Sequence, residues 1–96
     1  MTDEKKNHPY KIGEIYFIRT VTFYFAGRLK EVFENELVLT EASWISETGR
    51  FNESLKDASL LDEVEMYPDD TDVIIGRGAI IDVSIPAWEK LPSTTK

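Results

Sequence analysis

The sequence predicts a small, strongly bent, mainly β domain. Apolar side chains alternate with polar ones in the first half of residues 23–42, at Phe23, Phe25 and Leu29. This period of two is typical of a half-buried strand. A polar turn at residues 34–36 precedes a second, aliphatic strand, which predicts an antiparallel hairpin with one face on a core. Gly27 interrupts the first strand, and such a glycine is typical of a sharp bend or a close approach of two backbones. A strand bent in this way curls a small sheet toward a barrel.

The composition fits one folded domain. The chain has 96 residues, and its five Phe, four Tyr and two Trp argue against disorder over most of that length. The absence of cysteine excludes disulfide and thiolate chemistry, and no apolar run has the length of a signal peptide or a membrane span. We therefore expect a soluble, cytoplasmic protein. The net charge of −7 argues against a general affinity for nucleic acid, although a local basic site remains compatible with it.

The N-terminal part predicts a tail followed by one strand. Residues 1–8 are polar and charged, and Pro9 is able to begin a short helical turn that would end before Gly13. We expect residues 1–12 to be a mobile or short helical N-terminus. Residues 14–20 are rich in β-branched and aromatic side chains and predict the first strand.

After the hairpin the pattern changes from strand to helix. Residues 46–62 lack strand alternation and predict an insert with a short amphipathic helix near residues 50–57. Thr48 is a candidate cap of this helix, and Phe51 and Leu55, four apart, would pack it.

Three further β segments and a tail complete the chain. Residues 63–67 alternate and predict a strand, and residues 68–70 have the composition of a turn. The segments 73–75 and 79–85 are apolar and are joined by a tight connection of two glycines around one arginine. In residues 87–96 we expect Trp88 to be a docked anchor, followed by a loose end.

Two parts of the sequence together resemble the Sm-like (LSm) family. The first motif of that family is a Gly-x-Leu in a long bent strand, then a loop carrying Asp and Asn, then an aliphatic strand. Residues 27–29, 33–35 and 37–39 are similar to these parts. The second motif is an apolar strand, an Arg-Gly turn and a final apolar strand, to which residues 73–81 are similar.

The resemblance implies a small, strongly bent, five-stranded Sm-like (SH3-like) open barrel. A short helical insert would separate its third and fourth strands, and residues 1–96 would form a single domain. The chain would be a divergent member, because Glu34 stands in place of the loop aspartate and the segment between the two motifs is long.

The resemblance also implies a homo-oligomeric ring. In the family, the strand before the Arg-Gly turn and the final strand pair edge to edge between subunits. The subunit interface would then consist of Val73, Ile74, Ile75, Ile80, Ile81 and Val83. Pairing with a second copy covers an exposed apolar edge, and two different edges must either close as a ring or continue to grow. The alternative is a seam within one barrel.

A third implication is the binding of single-stranded RNA at the pore of the ring. The residues expected there are Phe33, Glu34, Asn35, Arg77 and Gly78. Phe33 would stack on a base, Asn35 would read a base edge, and Arg77 would stack or contact phosphate. Glu34 would order the loop.

Each of these assignments has a structural alternative. Phe33 would belong to the core, Asn35 to a turn, and Arg77 to an ion pair with one of the 18 acidic residues. The alternative function is a homo-oligomeric scaffold or protein-interaction ring without RNA, which the acidic composition favours. Residues 43–72 would then present apolar side chains to a protein partner or, as we favour, cover the open barrel as a lid.

We predict no enzyme, cofactor or metal. His8 is the one histidine and lies in the polar tail, a poor scaffold for a Ser-His or zinc site. Asp69, Asp70 and Asp72 lack the spacing and the glycine of a calcium-binding loop, which favours a solvated turn.

Overall fold

The protein is an open antiparallel β structure in the computed structural model, which describes residues 8–95. Its six strands are β1 (Ile15–Thr20), β2 (Tyr24–Val32), β3 (Glu36–Glu47), β4 (Glu63–Met66), β5 (Val73–Gly76) and β6 (Ile80–Ser84). A short helix, α1 (Phe51–Ser54), and two 3₁₀ turns (Ala58–Leu60 and Arg77–Ala79) connect them. The mainly β prediction, with a short helix after the third strand, is confirmed. Six strands are present where the resemblance implied five, and the strand predicted at residues 63–67 is confirmed as β4. The tail predicted for residues 1–7 lies outside the described residues.

The long strand β3 organises the sheet. The strands β2, β1 and β6 follow it in that order, β4 lies on its other side, and every pair is antiparallel. The first part of β3 pairs with β5, from Glu36 opposite Gly76 to Leu39 opposite Val73. Its second part pairs with β4. Because β5 and β6 are joined by one 3₁₀ turn but pair with β3 and β1, the sheet curls around its interior.

Gly27 lies at the bend of the β2–β3 hairpin, as predicted. The register passes from Ala26 opposite Ser43 to Arg28 opposite Thr40, so two residues of β3 face Gly27. This is a β-bulge, a feature that bends a strand and increases its twist. A Cβ at Gly27 would lie 3.0 Å from the Cα of Ala42 and 3.0 Å from the carbonyl oxygen of Thr40. The predicted close approach of two backbones at Gly27 is therefore confirmed.

Both faces of the central strands are buried, whereas the sequence predicted one. The inner cluster consists of Tyr16, Ile18, Leu29, Leu37, Leu39, Ala42 and Ile75. The outer cluster consists of Phe17, Ala26, Ile45, Leu61, Val64 and Trp88. Successive side chains of a strand point to opposite faces, so Phe17 lies on the face opposite to Tyr16 and Ile18. The sheet therefore has a second apolar layer on its outside.

The insert supplies much of this second layer. Leu61 is buried in the outer cluster and Leu55 packs against it. Residues 55–61 thus cover the outer face of β1–β3, whereas Tyr67, also within the segment expected as a lid, packs against the inner cluster. The helix of the insert is shorter than the predicted 50–57. The cap prediction for Thr48 is wrong, because Arg50 is the N-cap residue and the Thr48 hydroxyl donates to the carbonyl oxygen of Gly49.

The two ends of the described chain are packed on the sheet. Residues 9–12 form no helix, and a turn at Ile12–Gly13 leads into β1. Trp88 is docked as predicted, with its Nε1 donating to the carbonyl oxygen of Ser54 at 2.7 Å. The expected loose end is wrong as far as Thr95, whose backbone N–H donates to the carbonyl oxygen of Val64. We call residues 86–95 the strap. Within residues 8–95, no helix is long and apolar enough to cross a membrane.

Candidate functional site

The structure brings the two sequence motifs together. The backbone N–H of Arg77 donates to the carbonyl oxygen of Asn35 at 2.9 Å. The guanidinium Nη2 of Arg77 donates to the carbonyl oxygen of Phe33 at 2.6 Å, although 44 residues separate the two positions. The β2–β3 turn and the 3₁₀ turn between β5 and β6 are therefore one continuous surface.

The turn at residues 33–36 holds its side chains outward. The N–H of Phe33 donates to the carbonyl oxygen of Glu36 at 2.8 Å, which closes the turn. The Phe33 side chain is 51% exposed, so its assignment to the core is wrong. Glu34 and Asn35 are exposed as well, and Asn35 contributes its backbone carbonyl to the contact with Arg77.

Arg77 is held by an aromatic ring that the sequence analysis did not select. Its guanidinium carbon lies 5.6 Å from the centre of the Tyr10 ring, a cation–π geometry. Tyr10 in turn contacts Tyr16 edge to face, with ring centres 5.5 Å apart, and stacks on His8 at 5.8 Å. The Arg77 Nε is buried and has no hydrogen-bond partner within residues 8–95. Arg77 therefore joins the N-terminal segment to both turns, and one face of its guanidinium is covered.

The alternative of an ion pair for Arg77 does not occur in the described part of the chain. The ion pairs there are Arg19–Asp82, Arg28–Glu41 and Lys30–Asp72, with N–O distances of 2.6, 3.3 and 2.7 Å. Asp72, considered above for a cation, is thus paired with Lys30. Across residues 8–95, no group of three or more His, Cys, Asp or Glu side chains is arranged to hold a metal ion.

Two strand edges are open in the described chain. β5 pairs only with β3, and β6 pairs only with β1, within residues 8–95. Along an antiparallel strand, alternate residues bond to the partner. Because Arg77 bonds to Asn35, the backbone N–H groups of Ile74 and Gly76 point away from β3. β5 therefore presents unpaired backbone donors and acceptors on its outer side.

The six residues expected at the subunit interface divide into three groups. Ile74 and Ile81 project into solvent and are 68% and 58% exposed. Ile75 is 5% exposed and belongs to the inner cluster. The remaining three, partly buried against the inner cluster, are Val73, Ile80 and Val83. Ile85, just beyond β6, is 65% exposed and extends the apolar edge.

The third outer edge, that of β4, is covered by the strap. Val64 exchanges hydrogen bonds with Thr95, its N–H donating to the Thr95 hydroxyl at 3.0 Å. The N–H of Met66 donates to the Thr94 hydroxyl at 2.9 Å. The chain thus protects one edge with its own C-terminal segment and leaves the edges of β5 and β6 open.

The charge on β6 is compensated. Arg19 of β1 donates to both carboxylate oxygens of Asp82, from Nε to Oδ1 at 2.9 Å and from Nη2 to Oδ2 at 2.6 Å. The hydrogen bond from Arg19 lowers the pKa of Asp82, and the hydrogen bond with Asp82 raises the pKa of Arg19. The carboxylate within β6 is therefore paired within the same chain.

The fold and the open edges define the chain as a small open antiparallel β protein with exposed apolar side chains along two unequal strand edges. It matches no family model, no curated protein and no solved structure. Membership of the Sm-like family stays a prediction that rests on residues 27–39 and 73–81.

Proposed function

We propose that this protein is a self-assembling scaffold whose copies join edge to edge, with β6 of one copy on β5 of the next. One observation carries the proposal: Ile74 and Ile81 are largely exposed on the open edges of β5 and β6. Burying apolar surface releases about 25 cal/mol per Å². An assembled edge would also pair the backbone groups that β5 and β6 leave free.

The composition of the edges supports this proposal. Proteins commonly protect an edge strand with charged side chains, especially lysine, or with proline. β5 and β6 contain neither lysine nor proline, and the single charge, on Asp82, is paired with Arg19. The edges that would meet differ in sequence. A contact between two different edges adds copies one after another, either into an open filament or until the last copy binds the first. We propose the second outcome, a closed ring.

The mass of the assembly under native conditions tests the proposal. We expect multi-angle light scattering of micromolar protein to give a defined multiple of the chain mass. Ile74→Asp should reduce the mass to that of one chain, because the contact would bury the charge without a partner. Ile74 is 68% exposed, so the fold should tolerate the substitution.

Val21→Asp is the matched control. Val21 is 75% exposed and lies in the β1–β2 connection, outside both β5 and β6. It should leave the mass of the assembly unchanged. A wild-type protein of single-chain mass at every concentration would contradict the proposal, as would equal effects of the two substitutions.

A second function, binding of single-stranded RNA, is favoured by the exposed Phe33 ring beside the Arg77 contact. A ring of copies would present this pair repeatedly, and stacking on an aromatic side chain contributes about 1–3 kcal/mol per base. Asn35 is exposed beside Phe33 and would contact a base edge. Glu34 and Gly78 are exposed as well and would lie next to the bound RNA. Because Nη2 of Arg77 is bound to Phe33 and its Nε is buried, Nη1 is the guanidinium nitrogen that would contact phosphate.

Fluorescence anisotropy with short U-rich and A-rich RNAs tests this second function. Phe33→Ala should weaken saturable binding by the loss of stacking, without loss of fold. Leu60→Ala is the control, because Leu60 is also about half exposed but lies in the insert. Arg77→Ala is less informative, because Arg77 also holds the fold at Phe33 and Tyr10. No binding at low salt would exclude RNA and leave the scaffold.

A further inference from the structure

An exposed pair of aromatic rings lies where β2 begins, beside the interior of the sheet. The Phe23 and Trp44 rings are in contact there, with centres 4.7 Å apart and planes inclined by 52°. Phe23 is 39% exposed, and Trp44 is half-buried. Trp44 pairs with Phe25 of β2, which packs against the inner cluster, so the Trp44 side chain lies on the inner face of the sheet. The two rings therefore extend the apolar interior to the surface.

A carboxylate lies next to these rings. Glu65 of β4 is the residue opposite Trp44 on the other side of β3. Side chains directly opposite each other in an antiparallel pair share one face, with Cβ atoms about 4.5–5.5 Å apart. Glu65 is exposed and belongs to none of the ion pairs within residues 8–95. We call Phe23, Trp44 and Glu65 the aromatic–acidic surface.

The chain places its own arginines on aromatic rings elsewhere. Arg19 lies over the Phe51 ring at 5.6 Å while its guanidinium binds the carboxylate of Asp82. A second arginine, Arg77, lies over the Tyr10 ring at 5.6 Å. Among residues 8–95, no arginine or lysine has this geometry at either ring of the aromatic–acidic surface. That surface thus has the ring and the carboxylate of the Arg19 contact but lacks the cation.

The surrounding charge favours a basic ligand. Glu63, two residues before Glu65 on β4, lies opposite Glu47 of β3, and like charges in that position repel each other. A cationic ligand would reduce this repulsion and would compensate part of the net charge of −7. Opposite charges on two partners also accelerate their encounter. The charge of this part of the sheet therefore complements a basic partner and repels an acidic one.

We propose that the aromatic–acidic surface binds an arginine side chain in a basic segment of another protein. The guanidinium lies against the rings and donates to the Glu65 carboxylate, the combination that Arg19 makes within the chain. Arginine suits this surface better than lysine, because its planar group stacks on aromatic rings and binds a carboxylate through two parallel hydrogen bonds. The surface belongs to β3, β4 and the start of β2, so the proposal does not depend on the contact between β5 and β6.

Fluorescence anisotropy with a labelled Arg-Gly-Ser repeat peptide at low salt tests the proposal. We expect saturable binding, and Glu65→Gln and Phe23→Ala should each weaken it by about threefold or more. The matched controls, Glu53→Gln and Leu60→Ala, remove an exposed carboxylate and an exposed apolar side chain in the insert and should leave the binding unchanged. A peptide with citrulline in place of arginine has the same shape without the charge and should bind more weakly.

The two tryptophan indoles locate the bound peptide. Trp88 is buried, and its Nε1 donates to the carbonyl oxygen of Ser54. In ¹H–¹⁵N spectra, the peptide should shift the indole signal of Trp44 and leave that of Trp88 in place. A shift of the Trp88 signal alone would overturn the proposal, as would equal binding of the citrulline peptide. Equal affinities of Glu65→Gln and Glu53→Gln would also overturn it.

Light scattering without the peptide distinguishes a separate partner from a second copy. If Glu65→Gln lowers the mass of the assembly, a second copy occupies the surface and the proposal of a separate partner is wrong. An unchanged mass, together with weaker binding of the peptide, would support the separate partner. A wild type of single-chain mass that binds the peptide at Trp44 would contradict the ring and would still support this proposal.

Discussion

Gly27 and Ala42 face each other at the bulge of the β2–β3 hairpin with no room for a side chain between them. A Cβ at Gly27 would lie 3.0 Å from the Cα of Ala42 and 3.2 Å from its Cβ. The nearest atoms are backbone and a methyl group, which have no rotamer by which to move aside. The bend that curls the sheet therefore depends on the absence of a side chain at this position.

Gly27→Ala should destabilise the protein through this contact. Overpacking of a tight site costs typically about 1–3 kcal/mol. In a chain of this size we expect the midpoint of thermal unfolding, followed by circular dichroism, to fall by several degrees. Gly78→Ala is the control, because a Cβ there would meet nothing within 4 Å. Equal midpoints for the two variants would show that the hairpin relaxes without strain.

Arg77→Lys should loosen the contact between the two turns. The guanidinium reaches the Phe33 carbonyl oxygen at 2.6 Å while lying over the Tyr10 ring, and an ammonium group cannot reproduce this planar geometry. Loss of one charged hydrogen bond and of the ring contact should lower the free energy of unfolding by about 1–2 kcal/mol.

Urea unfolding measures this loss, with Arg50→Lys as the control at an exposed position. If Arg77→Lys is as stable as Arg50→Lys, the guanidinium does not hold the turns together. Amide hydrogen exchange adds a local measurement, because the N–H of Arg77 donates to Asn35. We expect that amide to exchange faster in Arg77→Lys.

The Arg19–Asp82 ion pair should stabilise the folded protein at neutral pH and should no longer do so in strong acid. The hydrogen bond from Arg19 lowers the pKa of Asp82 in the folded protein. The contribution is complete above the pKa of an unfolded aspartate, about 3.9, and disappears as the pH falls through the lower folded value. Both side chains are more than one third exposed, so the effect should be small.

Thermal unfolding of wild type and Asp82→Asn between pH 6 and pH 2.5 measures this contribution. The wild type should be more stable near pH 6, and the difference should shrink progressively as the pH falls below about 4, because Asp82 becomes protonated and its ion pair with Arg19 is lost. Asp69→Asn is the charge-matched control in an exposed turn. A difference between wild type and Asp82→Asn that stays constant across the range would exclude a contribution from the ionised pair.

Local features of the fold could be predicted because neighbours in sequence determine them. Alternation, β-branched and aromatic composition, and apolar runs identified the strands, and Gly27 marked the close approach of two backbones. The second buried face was missed, although the run Ile15–Ile18 carries its signal. A continuous apolar run is typical of a strand buried on both faces. The hairpin was predicted to bury one face, and this left no place for Leu61 and Trp88, which belong to the outer cluster.

The sequence predicted the two turns of the candidate site but not the contacts that hold them in place. Phe33, Asn35 and Arg77 were selected from motif order, and the structure brings them together. Tyr10 was missed because it lies in a segment without periodicity, and its role depends on a contact with a residue 67 positions away. The strap was missed for a similar reason. Thr94 and Thr95 act through hydroxyl groups on β4, and no local pattern distinguishes such threonines from those of a loose end.

Salt should act in opposite directions on the two proposed functions. Each copy carries a net charge of −7, so copies repel one another at low ionic strength. The screening length falls from roughly 10 Å at 0.1 M salt to 3 Å at 1 M, while burial of Ile74 and Ile81 is not screened. We expect sedimentation at fixed concentration to show more assembly at 0.5 M than at 0.05 M NaCl. Binding of RNA should weaken over the same range, because salt opposes the release of counterions. Dissociation of the assembly by salt would instead mean that ion pairs between copies hold it, and the apolar edges would then not be the principal contact.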